Sequence, residues 1–443
     1  MYIVMYIVIY YLVHGVVYFI VLSIYYFIFF IFLLKNGINI YTYIRIYMKL
    51  TKQSNDLISF FSKHQLVNYH KLTAITKQVF GQLYDQMVHT FKETSRIKYT
   101  IKQSRTTISK PAMHIPSHIL SHMRMKDMYR EVIYTFTIHH RTIHVHFILE
   151  QEQEQDKLDQ YVERIALWLG MAHHYAPREC AKKLSIFLYF TSSQKMLPNT
   201  NAVVLDEINV NSAFTTSCPK DSEIIVYRRE EWFKVFIHET FHNLNLDFST
   251  MDNNIIKQCI LTLFKVQSDV NAYEAYTEFW AEILNCLFCS FWMHPNNKDS
   301  FMKKAEWMIN VECSYSLFQM VKVLHHMGLQ YNDLYSASKQ SIIRRESQYR
   351  ENTNVLSYYI LKCILLVHYQ DYFNSNTNLL FYFTKNDQNM VAFCKFIKKK
   401  HKSVEMIKRV HVMGDFYKNQ YSTSNKYNKY VFSNLRMSIC EIE

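Results

Sequence analysis

The stretch WFKVFIHETFHNL, residues 232–244, constrains the fold of this 443-residue chain more than any other. Trp232, Val235, Phe236, Ile237, Phe241 and Leu244 leave it no polar face, so as a helix it must be covered by protein nearly all round. It nevertheless carries His238, Glu239 and His242, and burying these without partners would cost on the order of several kcal/mol. Positions i and i+4 project from one side of a helix, so the two imidazoles can share a metal ion at about 2.0–2.1 Å. Glu239 then lies beside the ion, placed to take a proton from a zinc-bound water whose pKa falls to about 7. An HExxH string arises by accident in about one such chain in twenty, so its surroundings must decide.

A catalytic zinc needs a third protein ligand. In the metzincin pattern a glycine turn after HExxH delivers it. Here Asn245 stands at the turn and can adopt its left-handed backbone, but Phe248 occupies the ligand position and Asp247 comes one place early. The other source is a glutamate on a later helix. NAYEAYTEFWAEILNCLF, 271–288, sets Glu274, Glu278 and Glu282 on one stripe at i, i+4 and i+8, in a helix otherwise too apolar for that stripe to be a solvated face.

HETFH followed by TEFWAE resembles the gluzincin zinc peptidases, most closely the lethal-factor-like branch, over about residues 224–287. The resemblance implies an α+β fold with a zincin-like metallopeptidase domain, in which a mixed sheet carries an active-site helix and a glutamate helix. It further implies zinc held by His238, His242 and Glu278, with Glu282 as a supporting carboxylate, and hydrolysis of a protein or peptide substrate with Glu239 as the base. The family's transition-state tyrosine falls on Asn271, which leaves Tyr273, Tyr276, Tyr358 and Tyr359 as candidates for that role and a catalytically inactive, peptidase-like interaction protein as the alternative. The family binds extended substrate along a sheet edge, and EINVNSAFTT, 207–216, is the candidate edge. The composition and the HETFH surroundings also resemble those of uncharacterised proteins of giant DNA viruses.

Residues 1–34 contain no charged side chain, long enough for a membrane span, and Lys35, Arg45, Lys49 and Lys52 follow it. The expectation is a single-pass membrane anchor with the rest of the chain cytoplasmic, or a soluble cytoplasmic protein if Met48 is the true start. Nine cysteines without a framework spacing read as free thiols in a reducing compartment. The close pair Cys286 and Cys289, in CLFC, reads as buried core. The net charge of +13 accompanies only 6 glycines and 6 prolines, as A+T-rich coding would produce, and the basic run at 395–411 has no interleaved aromatic beyond Phe396. No nucleic-acid partner is expected.

Along the chain, residues 50–125 read as a helical N-terminal region, 130–300 as the catalytic domain and 301–443 as a helical C-terminal region. Alternation over 132–149 predicts a hairpin turning at 139–141, whose four histidines read as structural. A helix follows at about 156–173, then strands at 184–192 and 222–228, and the HETFH helix begins directly after, with Glu230 and Glu231 expected in its first turn.

Overall fold

Alternating apolar and polar residues after position 130 produce two strands, β2 (Arg130–Ile138) and β3 (Arg141–Leu149), paired antiparallel around a turn in which His139 takes φ 52°. Val132, Tyr134 and Phe136 face the core, and Val145 and Phe147 join them from β3. The chain is described by a computed structural model over residues 48–105, 115–126, 130–150, 153–375, 381–421 and 429–443. β1 (Thr100–Arg105) lines the outside of β2. β4 (Lys183–Phe190) runs parallel to β3, and β6 (Asp221–Val226) parallel to β4. Parallel neighbours need a crossover, and between β3 and β4 the helix at Gln155–His173 supplies it. The short β5 (Ala213–Thr215) runs antiparallel to β6 and closes the order β1-β2-β3-β4-β6-β5 at a free edge.

Helices pack on the apolar side of this mixed sheet. In chain order they are α1 (Lys52–Lys63), α2 (Ala74–Thr94), α3 (Ser117–Met125), α4 (Gln155–His173), α5 (Glu207–Val210), α6 (Trp232–Asn243), α7 (Asn254–Leu263), α8 (Ala272–Met293) and α9 (Lys298–His326); α3 covers part of the opposite sheet face through Ile119 and Met123. The chain after α9 is also mainly helical, and a π-helical stretch at Leu356–Leu361 leads into the helix Lys362–Val367. α6 and α8 are buried along nearly their whole length, as helices without a polar face must be. α2 and α4 approach so closely at Gly170 that a Cβ there would lie 2.6 Å from Thr90 Cγ2. One hydrophobic cluster extends from Leu50 through the sheet, α6, α8 and α9 to Ile442, across the boundaries expected at 130 and 300.

Several expectations change. The N-terminal region is helical, but it also contributes strand β1, whose polar TIKQSR sequence lacks the apolar alternation that marks a strand. Glu230 and Glu231 precede the HETFH helix rather than forming its first turn, and Glu231 is its N-terminal boundary residue. Free thiols throughout were expected, yet Cys180 and Cys218 form a disulfide, bringing together segments 38 residues apart that no local spacing announces. The single-pass membrane assignment is withdrawn: among the described residues no helix is long and apolar enough to cross a membrane. Residues 1–34, on which it rested, lie outside the described residues.

Candidate metal centre

The HETFH helix starts at a strained point. Glu231 adopts φ 59°, a left-handed conformation uncommon outside glycine, and its carboxylate is fastened by Lys195 Nζ at 3.1 Å and by the backbone N–H groups of Met437 (2.8 Å) and Ser438 (2.5 Å). Three partners from two distant segments over-determine the geometry. The end of the helix is equally defined. Asn245 takes the left-handed turn anticipated for it, at φ 58°, and this turn delivers Asp247, which accepts a hydrogen bond from His242 Nδ1. Ser249 N–H (2.9 Å) and Oγ (2.6 Å) hold the other oxygen of Asp247.

The helical spacing turns the Nε2 atoms of His238 and His242 toward each other at 3.2 Å. Glu274 Oε2 completes a triangle, 3.1 Å from His238 Nε2 and 3.3 Å from His242 Nε2. Ligands about 2.0–2.1 Å from a tetrahedral ion are about 3.3–3.4 Å apart, so these three atoms already stand near the required separation.

Glu278, expected among the ligands, sits elsewhere. One of its oxygens accepts from His238 Nδ1 at 2.7 Å and the other from Lys234 Nζ at 2.5 Å. Glu282, expected beside an imidazole, instead pairs with Lys362 Nζ at 2.6 Å. On the glutamate stripe the carboxylate facing the two Nε2 atoms is therefore Glu274, one turn before the residue that the resemblance implies. Each imidazole thus has a carboxylate on Nδ1, Glu278 for His238 and Asp247 for His242, which fixes the tautomer that leaves Nε2 free for a metal.

Glu239, between the two histidines, projects into a cavity of about 40 Å³ whose wall also includes Tyr358, Ser212, Ala213, Lys234 and Met437. Among the described residues no side chain hydrogen-bonds to its carboxylate, and burial raises its pKa against the pull of His238 and His242. Of the four tyrosines considered, Tyr276 donates to Phe381 O (2.8 Å) and Tyr359 to Leu435 O (2.8 Å), away from the metal-facing atoms. Tyr273 presents its ring to His242. Tyr358 alone places its hydroxyl at the triangle, 3.1 Å from Glu274 Oε2. It belongs to the π-helical stretch, a distortion frequent at functional sites.

Of the four hairpin histidines, His139 and His140 at the turn pack against the His173 ring, and His144 and His146 take protein partners on the sheet face away from α6. His146 Nδ1 bonds Glu131 Oε1 at 2.7 Å and His144 Nδ1 bonds Thr135 Oγ1 at 3.0 Å. Sequence reasoning missed the roles of Glu274, Asp247 and Lys234. Asp247 carried a local signal, the polar residue just after the Asn245 turn; Glu274 differs from Glu278 only by docking.

Electrostatics link the centre to protons. Burial lowers the pKa of both imidazoles, but hydrogen bonds to Glu274 and Glu278 hold His238 above its ordinary value, and Asp247 with Glu274 hold His242 well above its own. In the metal-free chain these protonated pairs stabilise the fold fully below the unfolded histidine pKa of about 6.5 and are lost as pH rises through the raised folded values. A bound cation replaces those protons, so the gain in melting temperature on adding zinc should be larger at pH 8 than at pH 6. Calorimetry with and without zinc measures this; a larger gain at pH 6 would place the metal away from these imidazoles. Compared with models of known protein families, with curated proteins and with solved structures, the chain matches none.

Proposed function

We propose that this chain is a zinc-dependent peptidase of zincin-like architecture, its metal held by His238, His242 and Glu274. The observation that carries the reading is the triangle of two Nε2 atoms and one carboxylate oxygen, with sides of 3.1–3.3 Å, next to an uncommitted Glu239. Two imidazoles and one carboxylate form a donor set used by catalytic zinc, with the fourth position open. Zinc bound there supplies Lewis acidity toward a carbonyl oxygen and makes water easier to deprotonate.

The chain's own groups divide the remaining work. Glu239 takes the proton from the attacking water and passes it to the leaving amine, since it is the carboxylate at the cavity with no competing hydrogen bond. Tyr358 donates its hydroxyl proton in a hydrogen bond to the carbonyl oxygen as charge develops there. The sheet edge aligns the substrate. Tyr227 N–H donates to Ser212 O at 2.9 Å, so in the antiparallel alternation Ala213, one residue on, turns its own N–H and C=O outward to pair with an extended peptide.

The test is digestion of a peptide library by the full chain with its zinc content measured. Cleavage that stops with a chelator and returns with zinc is the expected result. A chain shown to hold zinc through His238 and His242 that cleaves nothing would refute the peptidase reading. Tyr358→Phe should lower kcat by about 100- to 1000-fold, the usual cost of one oxyanion donor, with zinc affinity unchanged. Steady-state kinetics beside zinc titration separates the two quantities, and an unaltered kcat would remove Tyr358 from the mechanism.

A further inference from the structure

The CLFC pair lies on the buried middle of α8, and there the tertiary structure adds what the sequence around it lacks. Cys440, from the C-terminal segment, and Glu312, from α9, meet Cys286 so that both sulfurs and one carboxylate oxygen lie within 4.8 Å of one another. All three residues are buried. Cys286 Sγ stands 3.8 Å from Glu312 Oε2, and sulfur and oxygen ligands of one tetrahedral zinc, at about 2.3 and 2.0–2.2 Å, are about 3.5–3.7 Å apart.

Glu312 is tied to the same C-terminal segment. Its carboxylate accepts from Ser438 Oγ at 2.8 Å, Ile439 N at 3.0 Å and Cys440 N at 3.3 Å, which fixes its oxygens against the C-terminal segment, while burial still raises its pKa. The Lys362 ammonium that bears on it is already bonded to Glu282. A divalent ion bound there would take one carboxylate oxygen and the two thiolate sulfurs as direct ligands, and the set as a whole would keep the one negative charge of the carboxylate.

We propose that Cys286, Cys440 and Glu312 form a second, structural zinc site that clasps the C-terminal segment between α8 and α9. Binding releases the two thiol protons, together with any proton that burial retains on the Glu312 carboxyl, and leaves no net change in oxidation state. The site has a consequence at a distance, because the same segment supplies the Met437 and Ser438 N–H groups that hold Glu231 at the start of the HETFH helix.

Full-length chain produced in medium supplemented with cobalt(II) tests this independently of the His238–His242–Glu274 centre, which contains no thiolate. The expected result is a thiolate-to-cobalt charge-transfer band in the near ultraviolet with about two metal equivalents per chain. His242→Ala should keep the band, and Cys440→Ser should lose it together with about one equivalent. If Cys440→Ser does not fold, the spectrum of the unmutated chain decides alone. A metal-loaded chain without the band, or peptide mapping that finds Cys286 and Cys440 joined as a disulfide, would overturn the proposal.

Discussion

If zinc sits at the His238–His242 centre as proposed, Glu274→Ala is expected to abolish its binding and Glu278→Gln only to weaken it. Glu274 contributes a carboxylate oxygen that faces both Nε2 atoms, at 3.1 and 3.3 Å, so on the proposed reading its removal leaves two ligands. Glu278 touches the opposite nitrogen of His238; its loss frees the ring and its tautomer, an effect usually worth about 10- to 100-fold in affinity. The Glu274 variant should fall beyond that range. Glu274 is also the least buried member of its stripe, so its truncation spares the packing of α8. Zinc titration by calorimetry on the two variants reads the order directly. If Glu278→Gln proves the more damaging, Glu278 is the third ligand, as the resemblance to the gluzincin pattern implies.

Glu239→Gln should retain zinc and lower kcat by about 100- to 10,000-fold, the range expected when a general base is lost. The amide preserves shape and volume inside a buried helix and removes only the proton acceptor. Because Glu239 lies outside the triangle, zinc affinity should change little. Turnover and metal content measured on the same preparation provide the check. Activity near that of the unmutated chain would assign the proton to another group.

Much of the architecture was legible because it rests on short-range periodicity. The two-residue period over 132–149 specified β2 and β3 and the turn between them. The absence of a polar face on 232–244 required α6 to be interior, and spacing of four placed His238 and His242 on one side of it. The left-handed turn at Asn245 was likewise a local property. β1 was not legible, because TIKQSR is an outer strand recruited by pairing with β2 along its length rather than by an apolar face of its own.

The same contrast holds at the centre. Residues 238–242 already specified two imidazoles and a carboxylate held close together on a buried helix, since i and i+4 are neighbours in any α-helix. They could not specify which carboxylate would face the two Nε2 atoms. Glu274, Glu278 and Glu282 share one stripe, and translation by a turn leaves that stripe unchanged; only the docking of α8 against α6 selects Glu274 for the Nε2 atoms, Glu278 for Nδ1 and Lys234, and Glu282 for Lys362. Tyr358, 84 residues after Glu274, and the Met437 and Ser438 amides that hold Glu231 arrive by long-range packing of the same kind. Periodicity fixes which side of an element a residue occupies, whereas which residue meets it there depends on the angle and offset at which two elements pack.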